Sequence, residues 1–326
     1  MALILVATES TVLIADAATG VIGGSKRLDD RPTCLAADPF VPGRAWCGTH
    51  RGGVFRSDDA GESWRTVGLA GRSIMSIAAS PARRDLIWVG TEPSAVWCSD
   101  NAGDTWQRTD PLETLPSSPE WSFPPKPDTH HVRWIACHPH DANQLWIAIE
   151  AGALVSTRDG GRTWRDRVVG GPWDTHELAI HPAAPMSLRV SAGDGYFESD
   201  DGGATWRSPE DGLEVGYLRA VALDPGRPDV VIVSASTGPR SAYVAGVSDG
   251  RLYRREGNGR WERVKAGWPD PPRTIAPLLA AGLSAGELWA ADERGVHRSD
   301  DSGSTWRLIA RFAKTPNNLR GLTVVR

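Results

Sequence analysis

Two histidines, His131 and His176, stand at the head of apolar runs that end in proline, VRWIACHP (Val132 to Pro139) and HELAIHP (His176 to Pro182). Either imidazole can titrate near neutral pH, and with the Glu150 carboxylate they form a candidate acid–base set. Arg133, Arg219 and Arg273 open equivalent runs, and paired guanidinium N–H donors suit a carboxylate or phosphate. Glu92 adds an acid, Tyr217 sits beside Arg219, and Trp121 and Trp173 offer flat faces on which a sugar or other planar ligand can stack. With His50, the imidazoles of His131 and His176 also make a candidate ligand set for a divalent metal, supplemented by Glu92 or Glu150. The chemistry this favours is hydrolysis or elimination on a polar, anionic or sugar-like molecule. Each residue also has a structural role open to it: arginines pair between elements, histidines bond within the core, and tryptophans cap loops against sheet edges.

These residues are far apart in the chain, so a fold must gather them, and a repeat dictates that fold. One octapeptide recurs as SDDAGESW (Ser57 to Trp64), SDNAGDTW (Ser99 to Trp106), TRDGGRTW (Thr157 to Trp164), SDDGGATW (Ser199 to Trp206) and SDDSGSTW (Ser299 to Trp306). REGNGRW (Arg255 to Trp261) is an eroded copy. Successive tryptophans lie 42 to 58 residues apart, the length of one four-stranded propeller blade. Asp and Gly suit a tight hairpin, Ser/Thr hydroxyls can bond its backbone, and the Trp can pack the hairpin onto its sheet. The box aspartates therefore read as scaffold.

The octapeptide resembles the Asp-box, or bacterial neuraminidase repeat, of sialidases, sortilin-type receptors, xyloglucan-active glycosidases and photosystem II assembly factors. The resemblance implies a β-propeller. Sialidase activity is not carried over: that enzyme class has an Arg-Ile-Pro motif, and no such string occurs in this chain. Xyloglucan-active relatives pair two propellers around two catalytic aspartates, whereas this length accommodates one. The assembly factors use a single seven-bladed propeller with an arginine patch that holds a protein, which fits the blade count better.

Alternating runs and turn signals lay out the strands. The expected architecture is all-β, one seven-bladed propeller of four-stranded antiparallel blades over residues 1–326. Blade one joins 319–326 to 2–28, closing the ring and hiding two sheet edges. The others cover 31–69, 72–112, 131–168, 173–213, 216–267 and 273–311, with an insert at 113–130. The octapeptides occupy the hairpins between the two outer strands of each blade. The loops joining second to third strands, and the links between blades, lie on the opposite face around the channel mouth. Two are enlarged, the Pro-rich segment Glu113 to His131 and the segment Ser236 to Gly250. Both are expected to form a lid over the channel.

Composition narrows the partners. Lys+Arg 36 against Asp+Glu 40 gives a net charge of -4, with no basic track for nucleic acid. No stretch reaches the roughly 18 apolar residues of a membrane helix. The opening MALILVATES lacks a basic n-region and cleavage site and reads as a strand. Four dispersed cysteines without a CxxC pair read as buried thiols in a reducing cytoplasm. Arginines far outnumber lysines, which suggests a GC-rich bacterial genome. Two functions compete: a polar or anionic small-molecule site at the channel mouth, catalytic or not, and a non-enzymatic surface that grips a protein.

Overall fold

The computed structural model describes residues 2–123, 126 and 128–326. Pro124, Pro125 and Pro127 of the expected lid segment lie outside the described residues. Seven antiparallel sheets form a ring; six pair their strands in sequence order from the channel outward, and the seventh sets the C-terminal strand inside the first three. The innermost strands are Leu319–Val325, Pro32–Ala37, Ser73–Ala79, Val132–Cys137, Thr175–His181, Tyr217–Asp224 and Leu278–Ala281. In blades four and five the outermost strand shrinks to single bridges, Ser156 with Arg165 and Glu198 with Arg207. The C-terminal strand pairs with Leu3–Thr8, so the two chain ends complete one blade and close the ring. The inner strand of blade seven is shorter than its sequence run because Pro277 has no N–H to give a ladder and ends the pairing at Leu278. Among the described residues, no helix is long and apolar enough to cross a membrane.

Each octapeptide folds the same way, and its chemistry explains its composition. The first-position hydroxyl accepts the N–H of the fifth-position glycine at 2.8–3.0 Å, as Ser57 does from Gly61 and Thr157 from Gly161. The third-position carboxylate or amide oxygen accepts the seventh-position N–H, 2.8 Å from Ser63 to Asp59 and 2.9 Å from Thr205 to Asp201. Two consecutive residues adopt left-handed backbone, Ala102 at φ 58° and Gly103 at φ 98° for example, which is why glycine holds the second of them. Tryptophans of the second strands then join blade to blade. Trp46 Nε1 donates to the Ala102 carbonyl at 3.3 Å, and Trp146 Nε1 to that of Gly202 at 3.0 Å, the same position of the next hairpin. Both indoles are fully buried, and each such side chain stabilises the ring by about 1.5–3 kcal/mol.

Since Thr163 and Thr157 hydrogen bonds hold the Asp159 carboxyl at about 2, acid should dismantle these hairpins. A carboxyl with a folded pKa below its unfolded value stabilises the fold above about pH 4, and loses that contribution as pH falls. The expected result is a melting temperature that drops between about pH 4 and pH 2, with a shallower drop in Asp159→Asn. An unchanged profile in that variant would exclude the hairpin carboxylate as a source of acid sensitivity.

Candidate functional site

The channel mouth is built by a repeated irregularity. Six of the seven inner strands slip register near their first residues, and one residue is left unpaired at each slip: Arg320, Thr33, Met75, Arg133, His176 and Arg219. A β-bulge bends the strand and re-aims the extra side chain. Five of these six residues line one cavity of about 100 Å³ at the mouth, His176 being the exception. Arg133, Arg219 and Arg320 supply three guanidiniums there; Glu177 is the one acid among the lining residues.

Arg219 is fully buried and spans the ring: its Nη1 donates to the Ala276 carbonyl at 2.6 Å and its Nη2 to Leu319 at 2.9 Å, while its Nε has no partner. Tyr243 closes the mouth from above. It ends the helical turn Pro239–Tyr243 in the Ser236 to Gly250 loop, stacks its ring 4.5 Å from the Arg219 guanidinium and accepts a 3.4 Å hydrogen bond from Arg133 Nη2. Burial pushes Glu177 up to about 7, with Arg133 and Arg219 pulling the other way.

Behind Arg133 lies a second layer. Glu150 Oε2 is 2.8 Å from His131 Nε2 and 3.5 Å from Arg133 Nε. Burial alone would raise the Glu150 carboxyl, but Arg133 and His131 bring it down to about 2, so it is an ionised anchor and a weak base. His176 is buried, which lowers its pKa and keeps it neutral. Its Nδ1 lies 2.6 Å from the Leu218 carbonyl and must carry the proton. That leaves Nε2 as an acceptor, 3.5 Å from the Tyr217 hydroxyl and 3.8 Å from Asp174 Oδ2. Burial and the Glu150 charge raise the Asp174 carboxyl.

The expected site residues therefore divide. Arg133 and Arg219 line the cavity; His131, Glu150, His176 and Tyr217 stand behind or beside it. Trp121 does not reach the mouth: it is 5% exposed, its Nε1 donates to Ser117 Oγ at 2.9 Å, and it packs with Leu112 and Leu115 against blade four. The described part of its segment packs over the loop after the second strand of blade four, with the Phe123 ring 4.8 Å from that of His131, and contributes no residue to the channel cavity, whereas the Ser236 to Gly250 loop does cover it. His50 and Glu92 line a separate groove between blades two and three, where Lys126 pairs with Glu92 at 3.0 Å.

A metal set of His50, His131 and His176 is consequently not assembled. The grouping found among the described residues is Glu150, Asp174 and His176, with ligand atoms within 4.8 Å of one another, but the Arg133 guanidinium beside Glu150 opposes a cation there. Arg273 is exposed in the link before blade seven because Pro277 delays the strand beyond it. Trp173 is 42% exposed, next in the chain to Asp174. Burial pushes the Cys34 and Cys137 thiols up to about 12, which leaves both unreactive.

Arg320, Glu177 and Tyr243 also line the cavity, and the sequence carries a signal for the bulges. Thr33, Met75, Arg133, His176 and Arg219 each precede by six residues the proline that ends the inner strand, Pro39, Pro81, Pro139, Pro182 and Pro225.

No protein-family model matches the chain. Over 213 residues it is 26% identical to the xyloglucanase Xgh74A of Acetivibrio thermocellus, which covers 55% of this chain and 25% of that enzyme. Among solved structures it is similar to the GH74 enzyme of Niastella koreensis, with TM-score 0.72 and 15% identity over 92% of this chain and 51% of that one. It also resembles YCF48 bound to D1 peptide, with TM-score 0.57 and 17% identity over 85% of this chain and 81% of that one. The chain spans a quarter of the xyloglucanase and about half of the GH74 chain, and the likeness to the solved structures is one of fold: a seven-bladed β-propeller.

Proposed function

We propose that the channel mouth binds a small molecule through a carboxylate or phosphate group held by Arg133, Arg219 and Arg320. The observation that carries this reading is the excess of positive charge around one cavity: three guanidiniums line it with Glu177, which burial has brought close to neutrality, and the ionised Glu150 behind Arg133 offsets one of the three. A cavity of about 100 Å³ accommodates several waters or one anionic group. In this reading Glu150 and His131 hold the Arg133 fork in place. Glu177 is the titratable acid in the cavity wall, with His176 and Tyr217 beside it, and any hydrolase or lyase activity would draw on these groups. Glycoside hydrolysis of the kind performed by the similar xyloglucanase is not needed to explain the arginines.

The test is a thermal-shift series with acetate, succinate, citrate and inorganic phosphate. A ligand at about 100 times its dissociation constant stabilises the fold by roughly 2.7 kcal/mol. The response to acetate, whose own charge is constant over this range, should be stronger at pH 6 than at pH 8, because Glu177 loses its charge as pH falls through about 7 and stops opposing the anion. Glu177→Gln should bind acetate equally at both pH values. The same raised pKa means that Glu177 favours folding most at low pH, and that this contribution disappears as pH rises from about 4.5 to about 7. A flat response to every anion would remove this reading and favour a protein partner, as for the peptide-bound YCF48 chain of similar fold.

A further inference from the structure

The groove between blades two and three holds a second excess of positive charge. It offers about 720 Å³, a size typical of small-molecule sites, and shares no lining residue with the channel mouth. Arg51, Arg72, Arg108 and Lys126 line it, with Glu92 and Glu113 as the acids. Both acids are taken: Glu92 pairs with Lys126 at 3.0 Å, and Glu113 with Arg108 at 2.8 Å. Arg51 and Arg72 remain, and among the described residues neither guanidinium has a carboxylate or a hydrogen-bond partner. The backbone sets these two side by side. Arg51 stands in the loop after the second strand of blade two and Arg72 in the link to blade three, and the Gly71 N–H donates to the Arg51 carbonyl at 2.7 Å. Arg72 is exposed yet held, its guanidinium 4.2 Å from the centre of the Trp97 ring on the third strand of blade three. A guanidinium stacked on an indole has its plane already fixed and loses little further freedom on binding. His50, in the same wall, registers the field: burial lowers its pKa, the charges of Arg31, Arg51 and Lys126 lower it further, and Asp30 opposes them. Two like charges held together without a counter-ion repel, and a dianion removes that repulsion where a monoanion leaves one charge over.

We infer that this groove is a second ligand site, and that it binds a small molecule through a phosphate monoester held as the dianion by Arg51 and Arg72. The phosphate oxygens accept the planar N–H forks that the two guanidiniums present. A phosphate monoester carries a charge of about −1.5 to −2 at pH 7. A carboxylate or a sulfate ester is a monoanion and leaves one guanidinium unmatched. The groove is far larger than a phosphate group, so the esterified part of the ligand has room beside it. The site is independent of the channel mouth, and either can stand without the other.

The decisive experiment follows the ring resonances of His50 by NMR in the full chain, assigned by their absence in His50→Gln, during titration with glucose 6-phosphate, glucose 6-sulfate and glucose. At pH 8 the phosphate is dianionic and His50 is neutral, so neither titrates. His50 lies in the groove wall, and occupancy there is read apart from any binding at the mouth. Glucose 6-phosphate should shift the resonance saturably and bind about tenfold more tightly than glucose 6-sulfate, a match in shape with less charge, and glucose should leave it unmoved. Arg51→Ala and Arg72→Ala should each weaken glucose 6-phosphate about tenfold, and Arg273→Ala, an exposed arginine of another link, should not. Both groove arginines are exposed, so neither substitution disturbs the core. Equal affinity for the two esters would overturn the dianion. A shift that survives both arginine substitutions would overturn the assignment to Arg51 and Arg72. An unmoved His50, with phosphate still stabilising the chain in the thermal-shift series, would overturn the groove site and leave the mouth reading standing.

Discussion

Replacing Glu198 by alanine is expected to destabilise the propeller by about 3–5 kcal/mol. Glu198, on the third strand of blade five, is 1% exposed and pairs its carboxylate with Arg255 on the third strand of blade six, itself 3% exposed. Arg207 donates to the other oxygen at 2.6 Å and Tyr196 to the first at 2.9 Å. The guanidinium of Arg255 also faces the Tyr196 and Trp261 rings at 5.1 and 5.0 Å. In the alanine variant Arg207 and Arg189 would still have Asp200, but Arg255 would be a buried cation without a counter-charge. That orphaned charge carries most of the cost.

The loss is large against the roughly 5–15 kcal/mol by which domains are stable. Blade six is the blade whose octapeptide has eroded, and this ion pair ties its third strand to that of blade five. Burial alone would raise the Glu198 carboxyl, but Arg207 and Arg255 lower it, so the contribution is present above the unfolded pKa and is lost as pH falls. Denaturant unfolding at pH 7 measures the effect. A change below about 1 kcal/mol would show that the pair contributes no net stability, and Glu198→Gln, which keeps the acceptor, should fall between wild type and alanine.

Arg133→Ala should have the largest effect on binding. The side chain contacts the cavity, Glu150 and Tyr243 together, and truncating one member of a buried charge pair costs about 2–5 kcal/mol, or roughly 30-fold and more in affinity. Glu150 would also lose the cation that holds it at about 2, so its pKa should rise in the variant. Arg133→Lys keeps the charge without the planar fork, and an intermediate affinity is expected. Titration with the strongest anion of the thermal-shift series, beside an unfolding curve for each variant, separates lost binding from lost fold. Unchanged affinity in a folded Arg133→Ala protein would place the anion elsewhere.

Trp121 and Arg273 mark where sequence reading stopped short, for two different reasons. Trp121 lies in a Pro-rich link on the correct face, but its indole reaches apolar neighbours in blade four, and burying an indole outweighs leaving it at a wet mouth. Arg273 occupies the position where its run would begin, but Pro277 interrupts the ladder before the strand can carry the arginine to the channel. His50 and Glu92 did meet in one groove, between blades away from the channel cavity.

What the chain determines locally, it also announces locally. The octapeptides specify hairpins through hydrogen bonds within seven residues, and their spacing sets the blade length. Six blades and the face on which the Ser236 to Gly250 loop lies follow from that repeat, and the alternating runs left at the two chain ends supply the seventh and close the ring. The site depends on something no local pattern states. One extra residue in each of six inner strands turns Arg133, Arg219 and Arg320 into a common cavity, and three blades must close a ring before their charges meet. Only the tertiary structure decides this, because a bulge is settled by how a strand fits its neighbours, and charge and burial at the channel exist only once the ring is shut.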